Sequence, residues 1–419
     1  MHRYSTMSYP DSVWDLKVVR AKFGVGAVDE LGYEVKAFGA ENVLIITDEG
    51  VARAGLVQRV TASLEAQRIN FEVWDGVEPE PSLSSMREAI NFAKTLRVDL
   101  FIALGGGSSI DTAKVTNLVL THGGDILDYI APPYGGGKKI PAPCRPLIAI
   151  PTTAGTGSET SSAAIISLPD KKFKAGIVND YLRPSLALLD PLLTTTMPPR
   201  VTAHTGMDAL THAIEAYTVR SYDAKPKPET PAERPIYGGA NPFTDLLAAK
   251  AIELIGGSLR EAVYHGWNLE ARSNMLLASF LAGVAFSNAG LGAVHAAAFP
   301  VGGRFHIPHG LACALLLPAV MEYNLPSNYM KFAEIAALLG ENVEGMDVRE
   351  AAELSIEAVK NLERDIGIPS GLSEVGITKE DIPELAEEAI KVRRMLIGNP
   401  RPITKEDMEK IYENALENY

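Results

Sequence analysis

Short runs of aliphatic residues alternate with longer amphipathic stretches through the first 190 residues, and then the alternation stops. "NVLIITDEG" reads as a buried strand entering a polar turn, and residues 54–67 have helical spacing. "FEVWDGV" is strand-like, and 84–96 is helical again. "DLFIALGGGSSIDTAKVTNLVL" reads as strand, glycine turn and helix; "RPLIAIPTTAGTGSE" reads as strand and hydroxyl-rich loop. Strands separated by helices need crossover connections, so the rhythm predicts a mostly parallel sheet with helices on both faces. Beyond "LALLDPLLTTTMPP", around Asp190, helical periodicity runs almost throughout: 203–217, 244–255, 269–286, 311–322 and onward to Tyr419. The expected organisation is α/β plus all-α, with an α/β domain over residues 1–190 and a helical domain over 191–419. The proline-rich "VRSYDAKPKPETPAERPIYGGANPF" is an excursion within the second domain, because helices resume on both sides of it. "FGVGAVDELG" is a strand end and turn, since no βαβ cue surrounds it.

The formal charge of -13 argues against a nucleic-acid partner or an anionic membrane surface, while leaving room for a local basic pocket. Cys144 and Cys313 lie far apart without CxxC spacing and read as buried free thiols. The N-terminal stretch has no apolar h-region, and "LACALLLPAV" is too short to span a bilayer and contains Pro318. These features lead to the expectation of a cytoplasmic protein acting on a small molecule.

Gly105, Gly106 and Gly107 fall between an apolar strand and a helix that Ser108 or Ser109 can cap. Glycines let backbone approach an anion, and a helix N-terminus offers free N–H groups and positive potential, the physics of a pyrophosphate cradle. A tight turn with no ligand has the same sequence. Asp48 follows the strand "VLIIT", where a carboxylate can accept from a ribose 2′-hydroxyl and repel a 2′-phosphate, or simply cap a helix. Thr152 and Thr153 follow a further strand, on the same sheet edge as Gly105. They can bond a cofactor's phosphate or amide, or belong to a solvated loop.

"HTGMDALTHAIEAY" places Asp208 and His212 four residues apart on one helical face. His295 and His309 lie in "NAGLGAVHAAAFPVGGRFHIPHG", with His295 read as near the end of an apolar helix and His309 just before the next. One oxygen and three nitrogen donors suit a first-row divalent ion, iron(II) or zinc(II). Asp208 and His212 also fit a plain helix pair worth about 0.3 kcal/mol.

Together "GGGSSIDTAK", "PTTAGTGSE", "GMDALTHAIEAY" and "GLGAVHAAAFPVGGRFHIPHG" resemble the iron-containing (group III) alcohol dehydrogenases. The resemblance extends through "GNPRPITKEDMEKIYENAL". It implies a dehydroquinate synthase-like architecture: a Rossmann-like N-terminal domain, a helical C-terminal domain, a site in the cleft between them, and a homodimer. It implies that Asp208, His212, His295 and His309 bind Fe2+, with Zn2+ as the alternative. Gly106, Gly107, Ser108 and Asp111 match the pyrophosphate turn, and Thr152 and Thr153 the second cofactor loop. Lys174 matches a lysine on the cofactor ribose, Phe286 an aromatic near the nicotinamide, and Asp48 the acidic residue associated with NAD over NADP. One departure stands out. Many members carry a second histidine four residues after the third ligand, and here that residue is Phe299. His306 is a candidate substitute, or a surface histidine at the site entrance.

The resemblance implies a metal-dependent, NAD(P)-linked alcohol dehydrogenase interconverting primary alcohols and aldehydes by hydride transfer. "LDYIAPP", "RPLIAIPTT" and "RPIYGGANPFTD" are similar to the hydroxyacid–oxoacid transhydrogenase branch, which passes a hydride from 4-hydroxybutyrate to 2-oxoglutarate on a tightly held cofactor. Microbial members sharing the excursion resemble ordinary alcohol dehydrogenases, so the excursion marks kinship rather than substrate.

Overall fold

The computed structural model describes residues 11–168 and 173–419. Its strands are β1 (Ala21–Phe23), β2 (Asn42–Ile46), β3 (Asn70–Trp74), β4 (Leu100–Gly105), β5 (Leu147–Pro151), β6 (Ala163–Leu168), β7 (Phe173–Val178) and β8 (Leu186–Leu189). Six of them form one parallel sheet in the order β1-β8-β5-β4-β2-β3.

The apolar runs explain the layering. Side chains alternate across a strand, so a run that is apolar throughout needs cover on both faces. Val43, Ile45, Leu100, Ile102 and Ile148 pack under the helices Leu31–Ala37 and Leu56–Ala66. Their neighbours Leu44, Ile46, Phe101, Ala103 and Ala149 pack under Leu83–Lys94 and Gly107–His122. The chain leaves β2 for β3 on one side, then returns to place β4 on the other. That divergence opens a crevice at the carboxyl ends of β2 and β4, where Asp48 and the glycine turn lie.

Every described element beyond β8 is helical. The central helix, Pro199–Thr218, packs against Pro242–Tyr264, Leu269–Ala289 and His309–Asn324. Among the described residues no single helix is long and apolar enough to cross a membrane.

Two features differ from the sequence reading. β6 and β7 form an antiparallel hairpin where only a loop and a lysine motif were expected. In β6, Ala164, Ile166 and Leu168 join a core with Met86 and Val115, while Ala163, Ile165 and Ser167 face a cleft. The apolar stretch leading to His295 is also two helices, Leu269–Ala289 and Ala293–Phe305, meeting at 106°. Gly290 ends the first with a φ of 101°, a left-handed conformation that side chains disfavour. His295 therefore lies in the first turn of the second helix, not near the end of the first.

Candidate active site and metal centre

The helix Pro199–Thr218 presents Asp208, His212 and Glu215 along one buried face. His295 comes from the start of Ala293–Phe305, and His309 and Cys313 from the first turns of His309–Asn324. Gly310 permits this convergence: a Cβ there would lie 2.3 Å from the His204 carbonyl oxygen. Asp208, His295, His309 and Cys313 place their donor atoms within 4.8 Å of one another, one compact group able to hold a divalent metal. Asp208 Oδ1 lies 3.9 Å from His295 Nε2 and 3.8 Å from His309 Nε2. Both Asp208 Oδ1 and His295 Nε2 are buried without a hydrogen-bond partner. Buried polar atoms are otherwise almost always partnered, so facing orphans of this chemistry fit a shared cation.

Neighbouring groups set the protonation of these donors. Glu215 lies 2.6 Å from His295 Nδ1, which fixes the proton there and turns Nε2 inward. Burial pushes the His295 imidazole down, but the Glu215 and Asp208 carboxylates outweigh it and raise its pKa. The His212 Nδ1 N–H donates to the Gly155 carbonyl at 3.2 Å, and burial lowers that imidazole to about 4. His309, at the cleft floor, is also held below the usual range by desolvation. Burial raises the Asp208 carboxyl, yet the three surrounding imidazoles bring it below its ordinary value. Burial, then Asp208 and Glu215, push the Cys313 thiol well up. At neutral pH the site thus offers an anionic carboxylate at Asp208 and unprotonated imidazole nitrogens at His212 and His309.

A cleft of about 670 Å³ connects this group to the sheet edge, with Gly107, Ser108 and Thr156 on one wall and Phe286 and His295 on the other. The helix Gly107–His122 starts at Gly106 with no side-chain cap. Ser108 donates instead to the Pro79 carbonyl, and Ser109 donates to Asp48 Oδ2 at 3.2 Å. The expected serine cap is therefore absent, because each hydroxyl is drawn to a neighbouring loop, and the first N–H groups stay available to an anion. Gly105 has a φ of 149°, and a Cβ there would lie 2.4 Å from Ser109 Oγ. Asp48 caps the helix Glu49–Arg53 through the Val51 N–H at 3.0 Å while remaining beside the glycine turn.

The Thr152 N–H donates to the Gly105 carbonyl at 3.0 Å, and Thr153 Oγ1 lies 3.4 Å from where a Gly106 Cβ would stand. Asp111 is buried and accepts from Ser158 Oγ and the Ile165 N–H, so its oxygens brace the loop before β6. Lys174 on β7 pairs with Glu80 at 2.7 Å at the cleft wall. The Phe286 ring stacks on His212, centroids 4.4 Å apart, and His212 stacks on His295 at 4.5 Å. Phe299 and His306 both line the cleft.

Sequence reasoning missed Cys313, Glu215 and Thr156. Cys313 follows His309 by four residues, and Glu215 follows His212 by three, so helical spacing could have found both. Thr156 carried no such signal, since its place beside Gly107 comes from the fold of a loop.

A family model described as iron-containing alcohol dehydrogenase matches residues 19–191. One described as Fe-containing alcohol dehydrogenase family, C-terminal, matches 202–416. The mitochondrial hydroxyacid-oxoacid transhydrogenase of Bos taurus is 37% identical, over 98% of this chain and 91% of its own length. Long-chain-alcohol dehydrogenase 1 of Geobacillus thermodenitrificans is 40% identical, over 94% of each chain. The solved structure of an alcohol dehydrogenase from Oenococcus oeni superposes with a TM-score of 0.88 at 38% identity, covering 96% of this chain and 100% of that one.

Proposed function

Because the chain belongs to the iron-containing alcohol dehydrogenase family, we propose that it moves a hydride between a hydroxy acid and an oxo acid through NAD held in the cleft. As a family member it is a metal-binding oxidoreductase of an alcohol or hydroxy substrate with NAD(H). The transhydrogenase form is supported by similarity to the bovine enzyme along nearly the whole chain. The observation that carries the chemistry is the pair of partnerless atoms, Asp208 Oδ1 and His295 Nε2, at the foot of a cleft that also holds an uncapped glycine turn.

Asp208, His212, His295 and His309 would hold the metal, iron(II) or zinc(II). His212 is preferred over Cys313 because the Gly155 carbonyl occupies its Nδ1 and leaves Nε2 free, whereas the Cys313 thiol keeps its proton. When bound, the metal supplies Lewis-acid polarisation of the substrate oxygen and the nicotinamide supplies the hydride-carrying carbon. Glu215 holds the proton on His295 Nδ1. Phe286, stacked on His212, forms a flat wall for the nicotinamide ring. The open N-terminus of Gly107–His122 would hold the pyrophosphate of a bound cofactor, and Asp48 beside it would disfavour the 2′-phosphate of NADP. Phe299, Leu291 and Met395 exclude water from the substrate side. With Phe299 in place of a histidine, His306 is the cleft imidazole left to relay the hydroxyl proton.

Incubating the metal-loaded protein with 4-hydroxybutyrate and 2-oxoglutarate, with no added nicotinamide, tests the reading. Formation of 2-hydroxyglutarate supports it. When NAD is added, NADH accumulation from primary alcohols without transfer between acids would instead favour a plain alcohol dehydrogenase, the reading to which the apolar cleft lining and the Geobacillus relative lend weight. Cofactor binding without turnover of any alcohol or hydroxy acid would refute both.

A further inference from the structure

We propose that Arg394, packed against Tyr237 on the cleft wall, binds the substrate's carboxylate and so selects a hydroxy acid over a plain alcohol of equal length. The proposal rests on the hydroxy-acid reading and adds the residue that enforces it. Arg394 and Lys174 both line the cleft. The Lys174 ammonium is already paired with Glu80 at 2.7 Å and is almost fully buried. Arg394 is exposed to the cleft and has no acidic partner among the described residues. In a chain with 52 acidic and 39 basic residues, an arginine left without an acid on the wall of the active cleft is open to an anionic ligand.

Its position is fixed from three sides. Its guanidinium carbon sits 5.6 Å from the centre of the Tyr237 ring, a cation–π contact that leaves the N–H fork free. Tyr237 belongs to the proline-rich excursion, which is tied to the end of the helix Leu269–Ala289 by the Gly238 N–H on the Asn288 carbonyl and the Gly239 N–H on that of Ala289. On β7, Gly176 leaves space, since even a Cβ there would stand 3.9 Å from Arg394 Nη2. Next to it, Met395 packs with Ala296 and Phe299, one residue and four residues past the ligand His295. Asn399 then accepts from the Ala293 N–H at 3.2 Å, tying this segment to the first turn of the ligand helix. Arg394 therefore keeps a fixed offset from the metal group, with the apolar Phe299 and Met395 between. A hydroxyl at the metal group, methylenes over Phe299 and Met395, and a carboxylate on the guanidinium describe an ω-hydroxy acid. Arginine's planar fork suits carboxylate in a way an ammonium does not.

The test compares wild type, Arg394→Leu and Arg394→Lys, all loaded with Zn2+ and NAD. Glutarate, an unreactive dicarboxylate, is titrated calorimetrically, and kcat/KM is measured for 4-hydroxybutyrate and 1-butanol. Arg394→Leu is expected to weaken glutarate about tenfold or more, and to cut the ratio of kcat/KM for 4-hydroxybutyrate over 1-butanol by a similar factor, mostly through KM. Arg394→Lys restores part of both. Equal glutarate affinity in wild type and Arg394→Leu, or no glutarate binding by wild type, overturns the proposal. Glutarate binding that depends on Arg394 in a protein that turns over no hydroxy acid would uphold the anchor and defeat the functional reading. Turnover of hydroxy acids with an indifferent Arg394 would do the reverse.

Discussion

Glu215 reaches His295 across 80 residues of sequence, and that one contact decides which imidazole nitrogen faces the metal group. Glu215→Gln removes the charge that holds the Nδ1 proton, so divalent-metal affinity should fall about 10–100-fold in chelator competition. Unchanged affinity would mean that His295 is oriented by packing alone. Glu159 permits a sharper test. It is buried in the loop before β6 with Oε1 unpartnered, and burial raises its carboxyl from 4.5 to about 7. The folded state therefore binds more protons than the unfolded chain between those values, so this group's stabilisation is complete below 4.5 and is lost as pH rises through 7. Glu159→Gln stays neutral, and its melting temperature relative to wild type should climb between about pH 5 and pH 8. A pH-independent difference would contradict the assignment. At this scale the sequence revealed what helical spacing encodes, the Asp208–His212 face, and hid what only a long-range contact creates, the Glu215–His295 bond and the Gly155 carbonyl on His212.

Elements were legible where their apolar pattern is unambiguous. β2, β4 and β5 are apolar runs bounded by polar turns, and their unbroken hydrophobicity implied burial on both faces. The β6–β7 hairpin escaped because "SSAAIISL" follows a hydroxyl-rich loop and mixes small and apolar residues without a clear period. The break at Gly290 escaped because flanking alanines continue a helical pattern, and only the φ of 101° reveals the turn. The packing of His309–Asn324 on Pro199–Thr218 depends on Gly310. Gly310→Ala drives a methyl into the His204 carbonyl, separates the two helices and should cost about 1–3 kcal/mol in urea unfolding. Because Asp208 and His309 sit on those two helices, metal affinity should fall in the same variant. Lys114 does comparable work under the loop before β6. Its buried ammonium donates to the Ser158 and Ala163 carbonyls and lies 3.5 Å from Asp111. Lys114→Met strands those acceptors and the Asp111 charge, with an expected loss of about 3–5 kcal/mol in the same assay.

Across the whole molecule, the parallel sheet supplies the open helix terminus and the helical half supplies the carboxylate and imidazoles, so metal and folding are linked. Stripping the ion should lower the melting temperature, and Zn2+ at about 100 times its Kd should restore about 2.7 kcal/mol. The two-part architecture was readable from where the strand–helix alternation ends near Asp190; the cleft was not, because β6, the Tyr237 excursion and Arg394 meet there only in three dimensions. The most direct measurement is anomalous diffraction at the zinc edge from a zinc-loaded crystal. The account predicts one peak per chain, about 2.0–2.2 Å from an Asp208 oxygen and from imidazole nitrogens of His212, His295 and His309. A peak elsewhere, or none at Asp208 and His295 with the protein fully active, would contradict it.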